Sequence, residues 1–162
     1  MDAMGAVSYT HLDVYKRQGG GSLAGVWFDA FTQNVDRTPK NANLLLWHRK
    51  LYLIDHGAAL YFHHDWPSLQ KKIESPFTEI GQHILLPWAT EIEEAAAIAH
   101  ERLPREVLTE IVNMVPDEWL ESIPGVLSAR QRQTGYLDFF TWRLASSHIF
   151  EQEAIRAHSR LV

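Results

Sequence analysis

The chain has 162 residues, 46% of them hydrophobic and 22% charged, which excludes a disordered or fibrous protein and sets the scale of one ordinary domain or a piece of a larger one. A formal net charge of -5 removes the basic field that nucleic-acid binding draws on, and the absence of cysteine removes disulfides and thiolate metal sites. No apolar run approaches the roughly 18 residues that cross a bilayer, and the first residues lack the layout of a secretion signal, so the expectation is a cytoplasmic protein with no membrane or direct nucleic-acid partner.

Residues 1–22, MDAMGAVSYTHLDVYKRQGGGS, have little periodicity and end in a Gly-Gly-Gly-Ser run, the composition of a solvated leader. The piece VSYTHLDVYKRQ resembles a translated adaptor sequence that recurs at the ends of metagenomic gene fragments. That resemblance implies that residues 1–18 are an artefact outside the fold, so His11 and Tyr15 carry no expected role. The folded part is then expected over 23–162.

The spacing of Leu23, Val26, Trp27, Ala30 and Phe31 predicts a helix over 23–33, with Ser22 as its cap. Pro39 forbids continued helix in the loop that follows and stiffens a turn. Asn43–Trp47 and Leu51–Ile54 alternate as two short strands, joined across His48, Arg49 and Lys50, and Gly57 with Ala58 leaves room for backbone or phosphate to approach.

Beyond Trp66 the pattern is helical. Ser75-Pro76 reads as a cap and first helical position, opening a helix through about Leu85. Trp88, Ile92, Ala95 and Ala99 mark the next stripe, ending near Leu103. Pro104 opens another, with Val107, Leu108, Ile111 and Val115 inward. Asp117 to Glu121 reads as a short helical turn. Ser128 with Gln131 is a capping-box signature before a helix carrying Tyr136, Leu137, Phe140 and Leu144. Ser146-Ser147 marks a break before a last amphipathic helix to about His158. The six tryptophans fall at expected core positions, and Glu91, Glu93 and Glu94 at a solvated helix start. The predicted class is α+β, mainly α, with one β-hairpin and about six helices.

The chemistry concentrates between Asn34 and Gly57: NVDRTPKNANLLLWHRKLYLIDHG. Phosphoryl transfer from a nucleotide needs one carboxylate to orient the attacking hydroxyl. It also needs an amide oxygen and a second carboxylate to hold magnesium against the phosphates. Asp36 and Asn41 have the interval of a kinase catalytic loop, D-x-x-x-x-N, and Asp55-His56-Gly57 stands where a kinase carries D-F-G. By position, Asp36 is the expected base, and Asn41 and Asp55 are the expected magnesium ligands. Lys40 either neutralises transferred phosphoryl charge or is a solvated loop lysine. Arg37 does the same or pairs with a neighbouring carboxylate. Asn34 is expected to organise the loop, and Asn43 is a weaker rival of Asn41. Asp55, directly after Leu-Tyr-Leu-Ile, is expected to need a partner or a metal.

NVDRTPKNANLL and LYLIDHGAALYF resemble the catalytic core of the HipA-like kinases, a branch of the protein-kinase-like fold, with Asp36, Lys40 and Asn41 matching that family's aspartate, lysine and asparagine. The resemblance is closest over residues 23–66. It departs where Asn34-Val35 replaces the His-Arg of ordinary protein kinases and where His56 replaces their phenylalanine. It implies the larger, C-terminal lobe of an ATP- and Mg2+-dependent serine/threonine kinase acting on a protein. Too few residues precede Asp36 for the smaller lobe, and no glycine-rich phosphate loop or strand lysine is found there, so the chain is expected to be inactive alone.

Two other classes compete. One is a non-catalytic nucleotide-binding or interaction module of pseudokinase type, against which the retention of Asp36, Asn41 and Asp55 argues. The other is a zinc or iron hydrolase built on His56, His63, His64 and Asp65. Adjacent residues on a strand point to opposite faces, and no H-x-x-x-H or H-E-x-x-H helix supports that set. His83, His100, His148 and His158 are expected at the surface or in packing.

Overall fold

A computed structural model describes residues 20–48, 50–121 and 127–161. The expected leader falls outside the described residues up to position 19. The first helix, α1 (Gly20–Thr32), begins within the last residues assigned to that leader. A hairpin follows, β1 (Leu44–Trp47) and β2 (Lys50–Leu53). Then come α2 (Leu69–Ile73), α3 (Ile92–Arg102), α4 (Arg105–Asn113), α5 (Asp117–Glu121), α6 (Ala129–Ala145) and α7 (His148–His158). The fold is α+β and mainly α. No helix among the described residues is long and apolar enough to cross a membrane.

The core forms around α1. Val26, Trp27, Ala30 and Phe31 are buried against Leu86, Ile92, Ala96, Phe150 and Ala154, so α1 packs between α3 and α7. Trp27 stacks on Phe31 with ring centroids 5.0 Å apart and donates its indole N–H to Glu151 at 2.9 Å. Full burial of such side chains contributes about 1.5–3 kcal/mol each. A second, smaller cluster joins Phe62, Ile73 and Phe139.

The hairpin lies on this helical body. Leu44 pairs with Leu53 and Trp47 with Lys50, an antiparallel register that turns around His48 in a left-handed conformation (φ 47°). Leu44 is buried and Leu45 exposed, the alternation expected of a half-covered strand. Ser128 accepts from the Gln131 backbone N–H at 3.3 Å, while Gln131 Oε1 accepts from the Ser128 backbone N–H at 2.9 Å. The expected capping box of α6 is therefore complete.

Several helical expectations fail. No α-helix runs from Pro76 to Leu85; a 3-10 turn, Thr78–Gln82, stands there instead, and a second, Leu86–Trp88, follows it. Phe77 is left-handed (φ 53°), and Ser75 Oγ accepts from the Phe77 N–H rather than capping a helix. The backbone donors that a helix would use are spent elsewhere: Ile84 N–H bonds to the Arg37 carbonyl and Leu85 N–H to His83 Nδ1. Ile111 is exposed, and Val112, one position on, is buried in its place. Of the tryptophans, Trp47, Trp119 and Trp142 are exposed by 59%, 69% and 59%, so only part of that set serves the core.

Arg143 on α6 holds the helical body together. Its guanidinium is fully buried and donates to five carbonyls: Ala30 and Phe31 at the end of α1, and Lys72, Ile73 and Ser75 at the end of α2. Helix C-termini leave carbonyls without intrahelical partners and carry partial negative charge, so one cation answers two of them. Its carbon also lies 4.6 Å from the centre of the Phe150 ring. Burial lowers its pKa to about 9, which still leaves it charged at neutral pH. Arg143→Met is expected to cost at least ~3 kcal/mol, because buried carbonyls lose their donors at ~1–3 kcal/mol each. Urea unfolding followed by tryptophan fluorescence measures this, and a loss under ~1 kcal/mol would refute the role given to Arg143.

Candidate active site

The site is built outward from a carboxylate that the pattern of the first helix hides. Asp29 on α1 is fully buried. Arg37 Nε donates to its Oδ2 at 2.5 Å and Arg37 Nη2 to its Oδ1 at 3.4 Å. His83 Nε2 reaches the same Oδ2 at 2.9 Å. Because His83 Nδ1 accepts the Leu85 N–H, its proton sits on Nε2 and the neutral ring donates to Asp29. Asn34 adds a side-chain bond to Asp29 Oδ1 at 3.2 Å and a backbone bond to the Asp29 carbonyl at 2.8 Å.

Burial pushes the Asp29 carboxyl upward, but the hydrogen bonds from His83 and Arg37 outweigh it, and the group is held below its ordinary 3.8. Arg37 thus takes the second of its two expected roles, pairing with a neighbouring carboxylate. It also reaches further. Its Nη1 donates to the carbonyls of Asn43 and Ile54, and its Nη2 to His56 Nδ1 at 3.3 Å. His56 Nδ1 accepts, so its proton is on Nε2, which faces the Leu53 carbonyl at 3.3 Å. One guanidinium therefore ties α1, the entry and exit of the hairpin, and the Asp55–Gly57 segment.

On this support lies the loop. Thr38 and Asn41 exchange two backbone hydrogen bonds, of 3.0 and 3.1 Å, which close a tight turn with Pro39 and Lys40 at its corner. Closure brings Asn41 back over Asp36: Asn41 Nδ2 donates to Asp36 Oδ2 at 2.6 Å, and Asn43 Nδ2 to the same oxygen at 3.3 Å. Asn34 Oδ1 accepts the Asp36 N–H at 3.2 Å, the organising role expected of Asn34. With one oxygen of Asp36 so engaged, Oδ1 is left to accept a proton. With its nitrogen turned to Asp36, Asn41 has Oδ1 available as a ligand.

Asp55 stands at the same end of the hairpin, next to Ile54, whose N–H bonds to the Asn43 carbonyl at 3.0 Å. It is left-handed (φ 52°), a conformation that costs a non-glycine residue energy and that recurs at functional positions. The argument from burial fails, however: Asp55 is exposed, and its Oδ1 accepts the Gly57 N–H at 3.3 Å. Its second oxygen is an anionic donor and Asn41 Oδ1 a neutral one, the two oxygen types that suit a hard cation such as Mg2+. Lys40 is exposed and lines a cavity of about 420 Å3 shared with His83, Ile84 and Trp88.

The histidines correct another expectation. His63 and His64 lie on a 3-10 turn (Tyr61–His64), not a strand, and their Nε2 atoms are 3.0 Å apart. Burial and then His64 hold the His63 imidazole below its usual range. Among the described residues, no three His, Cys, Asp or Glu side chains converge as a metal-binding group.

Asp29 escaped the sequence reading, and His83, expected at the surface or in packing, is buried as its partner. Asp29 sits one turn beyond Val26 inside an otherwise apolar helix, a position where a carboxylate demands a buried partner. That was the available signal. His83 gave none, because its contact spans 54 residues.

Comparison of the chain with family models, with curated proteins and with solved structures gives no match. Geometry and chemistry carry the functional reading.

Asp29→Asn preserves shape but leaves Arg37 buried without a counter-charge, at an expected cost of about 3–5 kcal/mol at pH 7. Because the folded carboxyl is depressed, its stabilisation is complete above the ordinary carboxylate range and is lost as pH falls through the folded value. Urea midpoints of parent and variant should therefore differ widely at pH 7 and converge at the acid end. A gap that stays constant with pH would remove Asp29 from the network.

Proposed function

We propose that residues 23–162 form the larger lobe of a HipA-like, ATP-dependent serine/threonine phosphotransferase, carrying its catalytic loop and magnesium ligands. The observation that supports this most is the closed turn that joins Asp36 to Asn41 at 2.6 Å, with the hairpin returning Asp55 to the same end. Pro39, Lys40 and Asn41 of this turn are exposed.

In this reading Asp36 Oδ1 accepts the proton of a Ser or Thr hydroxyl while Asn41 and Asn43 fix its other oxygen and its orientation. Asn41 Oδ1 and Asp55 hold the magnesium ion, which when bound neutralises charge on the nucleotide phosphates. Lys40, at the corner of the turn, balances the charge of the moving phosphoryl group. Arg37 touches neither substrate nor metal; it positions the loop and the Asp55 segment together through Asp29, Asn43 and His56. A glycine-rich smaller lobe would supply the nucleotide clamp, the partner would be a protein substrate, and the compartment the cytoplasm.

The test uses this chain and its fusion to a glycine-rich small lobe. In the fusion, Asp36→Ala should lower phosphoryl transfer to a protein acceptor by ~10²–10⁴-fold with MgATP binding retained. Asp55→Asn should weaken MgATP binding about tenfold or more, ~1.4 kcal/mol. Saturable MgATP binding that is indifferent to Asp55→Asn, with no transfer, would favour a non-catalytic nucleotide-binding module and reject the metal assignment.

A further inference from the structure

Immediately after the Asp55–Gly57 segment, the chain makes a short turn whose shape has its own chemical consequence. Leu60 adopts a left-handed conformation (φ 56°) and the 3-10 turn Tyr61–His64 begins. Phe62 is its anchor: the ring is fully buried and stacks on Phe139 of α6 with centroids 4.4 Å apart. With Phe62 held inward, the two residues after it are driven together at the surface. The His63 and His64 ring centroids are 4.1 Å apart with planes at 74°, and their Nε2 atoms are 3.0 Å apart.

A separation of 3.0 Å suits an N–H···N hydrogen bond, and it also suits two neighbouring donors on one ion. With metal–nitrogen bonds of ~2.0–2.1 Å, it subtends about 91–97° at the metal. That is close to the right angle of square-planar and octahedral centres and narrower than a tetrahedral zinc site requires. Imidazole nitrogens in tetragonal arrangements are characteristic of copper(II) and nickel(II).

We propose that His63 and His64 chelate a single divalent copper or nickel ion through their Nε2 atoms, with solvent in the remaining positions. Among the described residues no third His, Cys, Asp or Glu joins them, so the protein supplies two nitrogens only. In the hydrogen-bonded pair one Nε2 carries a proton and the other accepts it. Chelation needs both lone pairs, so the donor ring moves its proton from Nε2 to Nδ1. Both rings stay neutral and no proton is released. The binding position is accessible, since His64 is exposed and His63 half-buried at the edge of an apolar cavity of about 380 Å3.

This site does not depend on the phosphotransferase reading. The test is titration of the full chain with copper(II), nickel(II) and zinc(II) chlorides at pH 7.5, followed by calorimetry and, for copper, electron paramagnetic resonance. One equivalent of copper should bind with coupling to two nitrogens, nickel more weakly and zinc weakest. His63→Ala and His64→Ala should each reduce copper affinity by more than the ~10–100-fold that losing a supporting outer-shell group costs. His148→Ala, at an exposed position on α7, should leave it unchanged, and thermal melts should show all variants folded. If the parent binds no stoichiometric copper, or the His63→Ala/His64→Ala double variant binds it as the parent does, the pair is a hydrogen bond and nothing more.

Discussion

The buried pair of Asp29 and Arg37 is the constraint on which the rest of the structure depends. A lone charge taken out of water costs several kcal/mol, so neither residue is tolerable inside without the other. Buried ion pairs elsewhere can often be replaced by apolar side chains without loss of stability. An apolar pair, however, has no direction, whereas a guanidinium presents five donors in a fixed plane. Arg37 spends those donors on a carboxylate behind it and on two carbonyls and an imidazole in front. The consequence is geometric: the helix, the ends of the hairpin and the loop share one rigid reference point.

That arrangement separates support from chemistry. Asp29, Asn34, Arg37 and His83 are all buried, and their polar atoms are engaged with one another and with the backbone. Asp36 is half-buried, while Lys40, Asn41 and Asp55 are exposed. The groups available for binding therefore stand one layer out from the groups that fix their positions. Small movements of the outer layer are resisted by the inner one, which is how a loop can hold exposed side chains in a fixed geometry.

Where local chemistry decided the structure, it could be read directly. The hairpin follows from alternation, the α6 start from Ser128 and Gln131, and the loop turn from Pro39. Where distant partners decided it, the reading failed. Residues 76–85 have a helix-like start, yet the backbone donors of Ile84 and Leu85 go to Arg37 and His83. Ile111 and Val112 exchange burial because the neighbouring helices, not the stripe, choose the inward side. In the candidate site, Asp36, Asn41 and Asp55 were legible as spacing. The hydrogen bond between Asp36 and Asn41, the exposure of Asp55 and the whole supporting layer were not, since spacing carries no information on what lies behind a loop.

Arg143 carries a consequence for the order of events during synthesis. Its contacts with α1 close over 113 residues and those with α2 over about 70. While the ribosome is still making the middle of the chain, α1 and α2 already exist as sequence but their final carbonyls face no cation. Neither helix end gains its buried donor until α6 has been made. The ends of α1 and α2 are therefore late to consolidate although both are made before α6. Such long closures slow folding and lengthen the interval in which apolar surface stands open.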